Sequence, residues 1–493
     1  MGPAATRRGY LAAAGAGLTG ALAGRLDLGP GGEGDGDSLP DYLDEYVPEL
    51  LDRYDVPGAS VALVEGGDPT WAGAYGEADP AAGRAMTVDT PCRVQSITKS
   101  VTAWGVLKLV ERGEVALDDP VGRHVTGWEL PDAEFPWEGV TVRRLLNHSA
   151  GLPAGGYEKV PPDEEPPSLR EALSGEAGAP AARPTDEPGS FRYANPGYGL
   201  LELLIEDVTG RDFAAYMREA ILEPLGMDGA TFVWDDRIEA ELAAEHLVDG
   251  TPVPQYREPV RAQGMLYATA ADVARFVAAG TEGTDGEPPG RGVLEPESVA
   301  EIHDPAVETT GFYELATDGA GLGHFAETLS NGELAVMNGG QGTGSWSWFH
   351  AVPATGDGIV ILTNSERSVQ LIADVVRAWA DRRGLPSPAI ASAVRWIRLP
   401  VWILGGVAVG LAARLGYGRF SRTRSFDPLS ERDRPARALL GGLAVATLGL
   451  WWGLGRETVA YFLPVFADWL GVALSAVAVL LALTALYPRT GRR

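Results

Sequence analysis

The C-terminal part of this chain does not read as an ordinary water-soluble core. Residues 396–415, 438–454 and, roughly, 460–486 are almost wholly apolar. Each stretch is near the ~20 residues that an α-helix needs to cross a bilayer. Aromatic residues stand where membrane–water interfaces would fall: Trp396, Trp402, Trp451, Trp452, Tyr461, Trp469 and Tyr487. One such stretch reads equally well as a buried helix, but three in series point to a membrane region over residues 389–493.

Arginine sets the expected orientation. The segment after the first stretch holds Arg414, Arg419, Arg422, Arg424, Arg432, Arg434 and Arg437, and the tail holds Arg489, Arg492 and Arg493. Between the second and third stretches stands Arg456, beside Glu457. The positive-inside rule then places the first loop and the C-terminus in the cytoplasm and the large N-terminal part outside. At the other end, Arg7-Arg8 precede a short, weakly apolar Ala/Gly/Leu run with small residues at Ala21-Leu22-Ala23. That pattern resembles a twin-arginine export signal and predicts the same side independently. Residues 29–38 are Gly/Asp-rich, so 1–38 reads as signal and linker. Asp468 falls near the outer end of the third stretch, where an interfacial position is expected.

Residues 39–388 then form one soluble domain. A helical period runs over 39–54, with Leu43, Tyr46, Val47, Leu50 and Leu51 on one side. Residues 59–64 and 71–75 read as a hairpin around Gly66-Gly67-Asp68. Helices are expected at 97–111, 197–208, 213–222 and 270–279, and strands at 334–337, 345–352 and 358–363, before a last helix over 368–382. Strands at both ends with helices between predict an α+β fold, an α/β sandwich. Its antiparallel sheet is closed by the two ends of the domain, flanked by helices and interrupted by a helical insertion. Residues 158–189, rich in Pro, Glu and Ala, read as loop.

Composition excludes several functions. The formal net charge is -27, and lysine occurs only at Lys99, Lys108 and Lys159. Such a surface repels nucleic acid and fits a protein living in high salt, where self-repulsion is screened. Cys92 is the single cysteine, so no intramolecular disulfide forms; it reads as a small buried residue. His124, His148, His246, His303, His324 and His350 show no metal-ligand spacing, and no phosphate-cradling glycine loop appears. No cofactor and no metal are expected.

The string Val94-Gln95-Ser96-Ile97-Thr98-Lys99-Ser100 carries the chemistry. Ser96 and Lys99 are three apart, hence one turn from each other on one helix face. A serine at a helix start points its hydroxyl into the positive end of the dipole. It still needs a base, and a lysine serves when burial and positive potential leave it neutral. Alone, Ser-x-x-Lys is a weak signal. It is followed, in order, by Leu145-Leu146-Asn147-His148-Ser149-Ala150-Gly151-Leu152-Pro153, Phe191-Arg192-Tyr193-Ala194-Asn195-Pro196-Gly197-Tyr198, a run from Gln263 through Asp272, and Asn338-Gly339-Gly340-Gln341-Gly342.

This ordered set resembles the serine β-lactamase and penicillin-binding-protein superfamily, in its class C and esterase-like branch, over residues 39–382. The resemblance implies that Ser96 is acylated, that Lys99 takes its proton, and that Tyr193 assists as base and passes the proton to the leaving group. It implies that Asn195 fixes Lys99 and the substrate, and that the N–H groups of Ser96 and Gln341 form the oxyanion hole, with Asn338, Gly339 and Gly340 on the substrate-binding strand. The third motif departs from the family, which usually has Lys or His where Asn338 stands. Losing that cation weakens carboxylate binding, so neutral esters or small amides are expected over β-lactams. His324 is the neighbour that could restore polarity, though a core position suits it better. The reading is a membrane-anchored, extracytoplasmic serine hydrolase acting on an ester or amide. The alternatives are a β-lactamase or D-amino-acid peptidase, and a sensor that is acylated without turning over.

Overall fold

The computed structural model describes residues 38–421, 434–456, 459 and 464–486. The twin-arginine stretch, residues 29–37 of the linker, residues 422–433 of the arginine-rich loop, Glu457 and the arginines of the tail lie outside the described residues. Residues 1–42 and 43–493 form separate compact units. In the described part of the first, Ser38 Oγ donates to Asp41 Oδ2 at 2.6 Å.

The first helix, α1 (Leu39–Tyr54), buries Leu43, Val47, Leu50 and Leu51, the side its period predicts. The hairpin β1 (Gly58–Glu65) and β2 (Asp68–Asp79) follows, then β3 (Arg84–Ala85) and β4 (Cys92–Arg93). After the helical middle of the domain come β5 (Tyr267–Ala268), β6 (Val307–Glu308), β7 (Gly319–Ala320), β8 (Phe325–Thr328), β9 (Leu334–Gly342), β10 (Ser345–Val352) and β11 (Asp357–Thr363). Nine of these strands form one sheet in the order β3-β2-β1-β11-β10-β9-β8-β7-β6. All of its pairings are antiparallel. The β1–β11 pair, with Val61 opposite Ile361, joins the two ends of the domain as expected. β10 and β11 are buried throughout and β1 nearly so, because helices cover both faces. Apolar runs rather than strict alternation are what such strands need.

The helix α2 (Ile97–Glu111) is buried nearly all round. A helix without a polar face belongs in the interior; Trp104 of α2 meets Phe276 edge-on at 5.3 Å. Gly105 lets a neighbour approach: a Cβ there would lie 2.4 Å from Met217 Sδ. The domain's other long helices include α3 (Asn195–Thr209), α4 (Ala270–Ala279) and α5 (Val369–Arg383). The expected helix over 213–222 is α-helical at Phe213–Met217 and continues as a π-turn at Arg218–Leu222.

The Pro/Glu/Ala-rich stretch is not all loop. It contains the short helix Leu169–Leu173, set by a capping box of Ser168 and Glu171. Around it Tyr157, Ala172, Ala177, Ala179 and Val260 form a small apolar cluster. Local composition misled because that cluster depends on Val260, far away in sequence.

Beyond the domain lie α6 (Ala389–Phe420), α7 (Arg434–Leu450) and α8 (Pro464–Leu486). Among the described residues two segments are long and apolar enough to cross a membrane, Ala389–Gly418 and Phe466–Leu483. The most apolar windows of these segments are 6% and 17% buried, so neither is a core helix. The second expected stretch is helical through α7 and the π-turn Trp451–Gly455, and among the described residues its apolar helical part is Ala444–Gly453. Asp468 is not left alone, since the Arg456 guanidinium donates to its Oδ1 at 2.8 Å.

Candidate active site

A two-residue ladder starts the site. Cys92 and Arg93 pair with Ala268 and Tyr267, which fixes the chain just ahead of α2. Cys92 is buried, and burial pushes its thiol up to about 12, as expected of an inert core residue. Arg93, fully enclosed, is paired with Glu245 and donates to the Tyr256 carbonyl at 2.9 Å. Next, Gln95 takes a φ of +52°, a conformation most side chains avoid. Its amide is held by Glu245 Oε1 at 3.1 Å and Ser345 Oγ at 2.9 Å. The strained turn aims Ser96 outward: from Thr90 to Leu107 every other residue is buried, and Ser96 alone is partly exposed.

Ser96 caps the N-terminus of α2, and its own N–H makes no hydrogen bond to the protein among the described residues. The Lys99 ammonium lies 3.1 Å from Ser96 Oγ and donates to the Gln263 carbonyl at 2.6 Å. Lys99 is 1% exposed. Burial brings its pKa from 10.5 to about 7, against an opposing pull from Glu258. Tyr193 Oη donates to Ser96 Oγ at 2.7 Å. One hydroxyl therefore sits between a phenol and an amine that is about half neutral at pH 7.

The Tyr193 ring is clamped. His148 packs against it at 4.2 Å between centroids and Tyr313 stacks on it at 5.3 Å. His148 Nδ1 accepts from the Ala194 N–H at 3.3 Å. Burial, with Lys99 nearby, holds its imidazole well below 6.5, so it packs as a neutral ring.

Asn195 reaches the cleft but departs from its expected role: its amide donates to the Gly155 carbonyl at 2.8 Å, and the second tether of Lys99 is the Gln263 carbonyl. The third motif splits by the two-residue period of β9. Gly339 and Gln341 face the cleft with Trp348 and Trp346, their cross-strand partners. Asn338 and Gly340 face away from it. Asn338 Nδ2 donates to Ser100 Oγ at 2.9 Å, to the Gly323 carbonyl at 3.2 Å and, more weakly, to the Ser96 carbonyl at 3.4 Å. A Cβ at Gly340 would lie 2.4 Å from the Val94 carbonyl. Both were expected to bind substrate; Asn338 instead fastens β9 to α2, and Gly340 leaves room for the close approach of Val94. His324 is a core residue: burial takes its imidazole to about 3, and it stacks on Phe276.

The cleft has a volume of about 560 Å³ and opens at Ser96. Sequence reasoning missed Glu258, a half-buried carboxyl in this cleft that desolvation raises to about 7 while Lys159, Arg93 and Lys99 pull it down. The Gln263 side-chain amide donates to it. Arg257-Glu258-Pro259 looks like any surface turn, and no local pattern marks it. Residues lining the cleft also carry buried polar atoms with no protein partner: Tyr157 Oη, Asn195 Oδ1, Trp346 Nε1 and Trp348 Nε1.

The fold and the Ser-Lys-Tyr cluster are those of a serine hydrolase. The family model described as Beta-lactamase matches residues 43–381, and the chain belongs to that family. It is similar to Penicillin-binding protein 4 of Amycolatopsis lactamdurans, 28% identical over 344 residues, 68% of this chain and 88% of that one. It is also similar to Esterase EstB of Burkholderia gladioli, 34% identical over 233 residues, 45% of this chain and 57% of that one. Among solved structures, the octameric penicillin-binding protein homologue from Pyrococcus abyssi superposes with a TM-score of 0.59 at 27% identity, covering 71% of this chain and 78% of that one.

Proposed function

We propose that this chain is a membrane-anchored serine hydrolase that turns over an ester or amide through an acyl-enzyme, with its catalytic domain outside the cytoplasm. The carrying observation is the placement of Ser96 Oγ within 3.1 Å of the Lys99 amine and 2.7 Å of the Tyr193 phenol at an accessible helix mouth. Ser96 Oγ attacks the carbonyl carbon and its proton passes to the neutral Lys99 Nζ. The oxyanion is held by the free Ser96 N–H and, as the resemblance implies, that of Gln341. As the tetrahedral adduct collapses, the proton returns through Tyr193 to the departing alcohol or amine. Water then attacks the acyl-enzyme, releasing the acid and restoring the Ser96 hydroxyl.

Membrane anchoring draws support from the two apolar helices, and the outside placement from the arginine distribution. The β-lactamase or peptidase alternative draws on the relatives named above. Yet burial lowers the pKa of Lys159, the cation lining the cleft, against an opposing pull from Glu258 and Glu245. Little positive charge is then left for a substrate carboxylate, so a neutral ester is favoured. The full chain in vesicles is expected to turn over a neutral ester steadily, faster than a cephalosporin, and Ser96→Ala is expected to abolish that turnover. A burst without turnover would replace this reading by the sensor.

A further inference from the structure

The domain hides its apolar side chains well, with one local exception. Over residues 38–388 the exposed large hydrophobics are Val88, Val233, Phe312 and Leu315. Phe312 caps a single-turn helix, Tyr313–Leu315, that ends in Leu315, and both line the catalytic cleft. Ile390, Ala393 and Val394, from the first turns of α6, line the same cleft. The start of α6 is fastened there, since the Ala389 N–H donates to Glu327 Oε2 of β8 at 2.8 Å. Phe325, also on β8, stacks on Tyr313 at 5.4 Å, and Tyr313 on Tyr193. An unbroken apolar surface thus leads from the catalytic tyrosine to the helix of membrane length.

The position of that surface along α6 can be estimated. Trp396 is 69% exposed and Trp402 57% exposed, the amphipathic rings that favour the headgroup level of a bilayer. Trp396 follows Val394 by two residues, about 3 Å along the helix axis. If α6 crosses the membrane, the cleft's apolar lip lies at its surface, where a hydrocarbon chain could pass from bilayer to cleft without entering water.

We infer that the substrate is a membrane-partitioned ester or amide of a long-chain acyl group, whose hydrocarbon chain lies along Phe312, Leu315, Ile390 and Val394 while its carbonyl meets Ser96. This rests on the hydrolase reading above and adds the acyl class. The test uses the full chain in phosphatidylcholine vesicles with p-nitrophenyl esters from acetate to dodecanoate. Each methylene favours transfer from water into the bilayer and cleft by roughly a factor of four, so kcat/KM referred to the ester in water is expected to climb by at least 100-fold from acetate to dodecanoate. Leu315→Ser and Val394→Ser are expected to cut the dodecanoate-to-acetate ratio at least fivefold. The same dodecanoate presented without vesicles is expected to react more slowly. A flat or falling chain-length profile, with acetate hydrolysis still dependent on Ser96, would overturn the acyl-chain inference and leave the hydrolase standing. A profile that rises equally in the Leu315→Ser and Val394→Ser proteins would overturn it as well. Loss of all Ser96-dependent hydrolysis would instead strike the reading beneath it.

Discussion

The two walls of the cleft are built by different rules. On the Ser96 wall the neighbouring side chains are buried and tied by directional contacts: Lys99 to Ser96 and Gln263, Gln95 to Glu245 and Ser345, and Ser100 Oγ to the Gly323 carbonyl at 2.6 Å. On the facing lip, Phe312 and Leu315 are 36% and 47% exposed, and α6 contributes small and aliphatic side chains. Proton transfer needs fixed distances, so its wall is over-determined. Holding a hydrocarbon chain needs area rather than direction, so the lip can be loose. The first wall defines what reaction occurs; the second selects what reacts.

The sharpest way to break this contrast is to remove the amine. Lys99→Met is expected to lower kcat/KM by ~10³-fold or more, because the serine loses its proton acceptor. The same change should stabilise the fold. Lys99 has a folded pKa of about 7 against an ordinary value of 10.5. Between those values the unfolded chain binds a proton that the folded chain does not, so stability rises with pH across that window. At pH 7 and below the burial cost is nearly in full force, on the order of 4 kcal/mol. Thermal unfolding of the Met variant should therefore show a higher midpoint at pH 7, with the gain fading toward pH 10. A midpoint equal to or below the parent's at pH 7 would mean that Lys99 is not held neutral at a cost.

A second comparison concerns the frame. Glu245→Gln removes the partner of the enclosed Arg93 guanidinium and also disturbs the support of Gln95. Breaking such a pair is expected to cost about 3–5 kcal/mol. Leu315→Ser on the other wall should shift stability by less than about 0.5 kcal/mol. Urea unfolding of the two variants checks this directly, and similar losses from both would erase the distinction between a rigid wall and a loose one.

How much of this was legible in the sequence follows the same division. The α2 segment with its Ser-x-x-Lys spacing, the β1–β2 hairpin and the terminal strands are local patterns, and they stand where periodicity placed them. The contacts that complete the site are long-range. The Gln263 carbonyl reaches Lys99 across 164 residues. Glu258 comes into play only because the loop carrying it folds beside Arg93 and Lys159. Asn338 was legible as a residue but not as a direction, since a strand's register decides which face a side chain takes; it turned toward Ser100 rather than toward the substrate. The lip had no signature at all. Phe312 and Leu315 look like ordinary loop hydrophobics until α6 is seen beside them. The second apolar stretch, 438–454, is helical over its length, through α7 and the turn Trp451–Gly455.

The central claim is that a neutral Lys99 amine accepts the Ser96 proton. It is tested most directly by the rate at which a fluorophosphonate labels the full chain across pH 5 to 9, read by mass spectrometry of the modified peptide. The account expects the label on Ser96, at a rate that rises as Lys99 deprotonates through about pH 7 and levels off above, with that rise lost in Lys99→Met. Labelling of Ser96 at a pH-independent rate, or of a different residue, would contradict it.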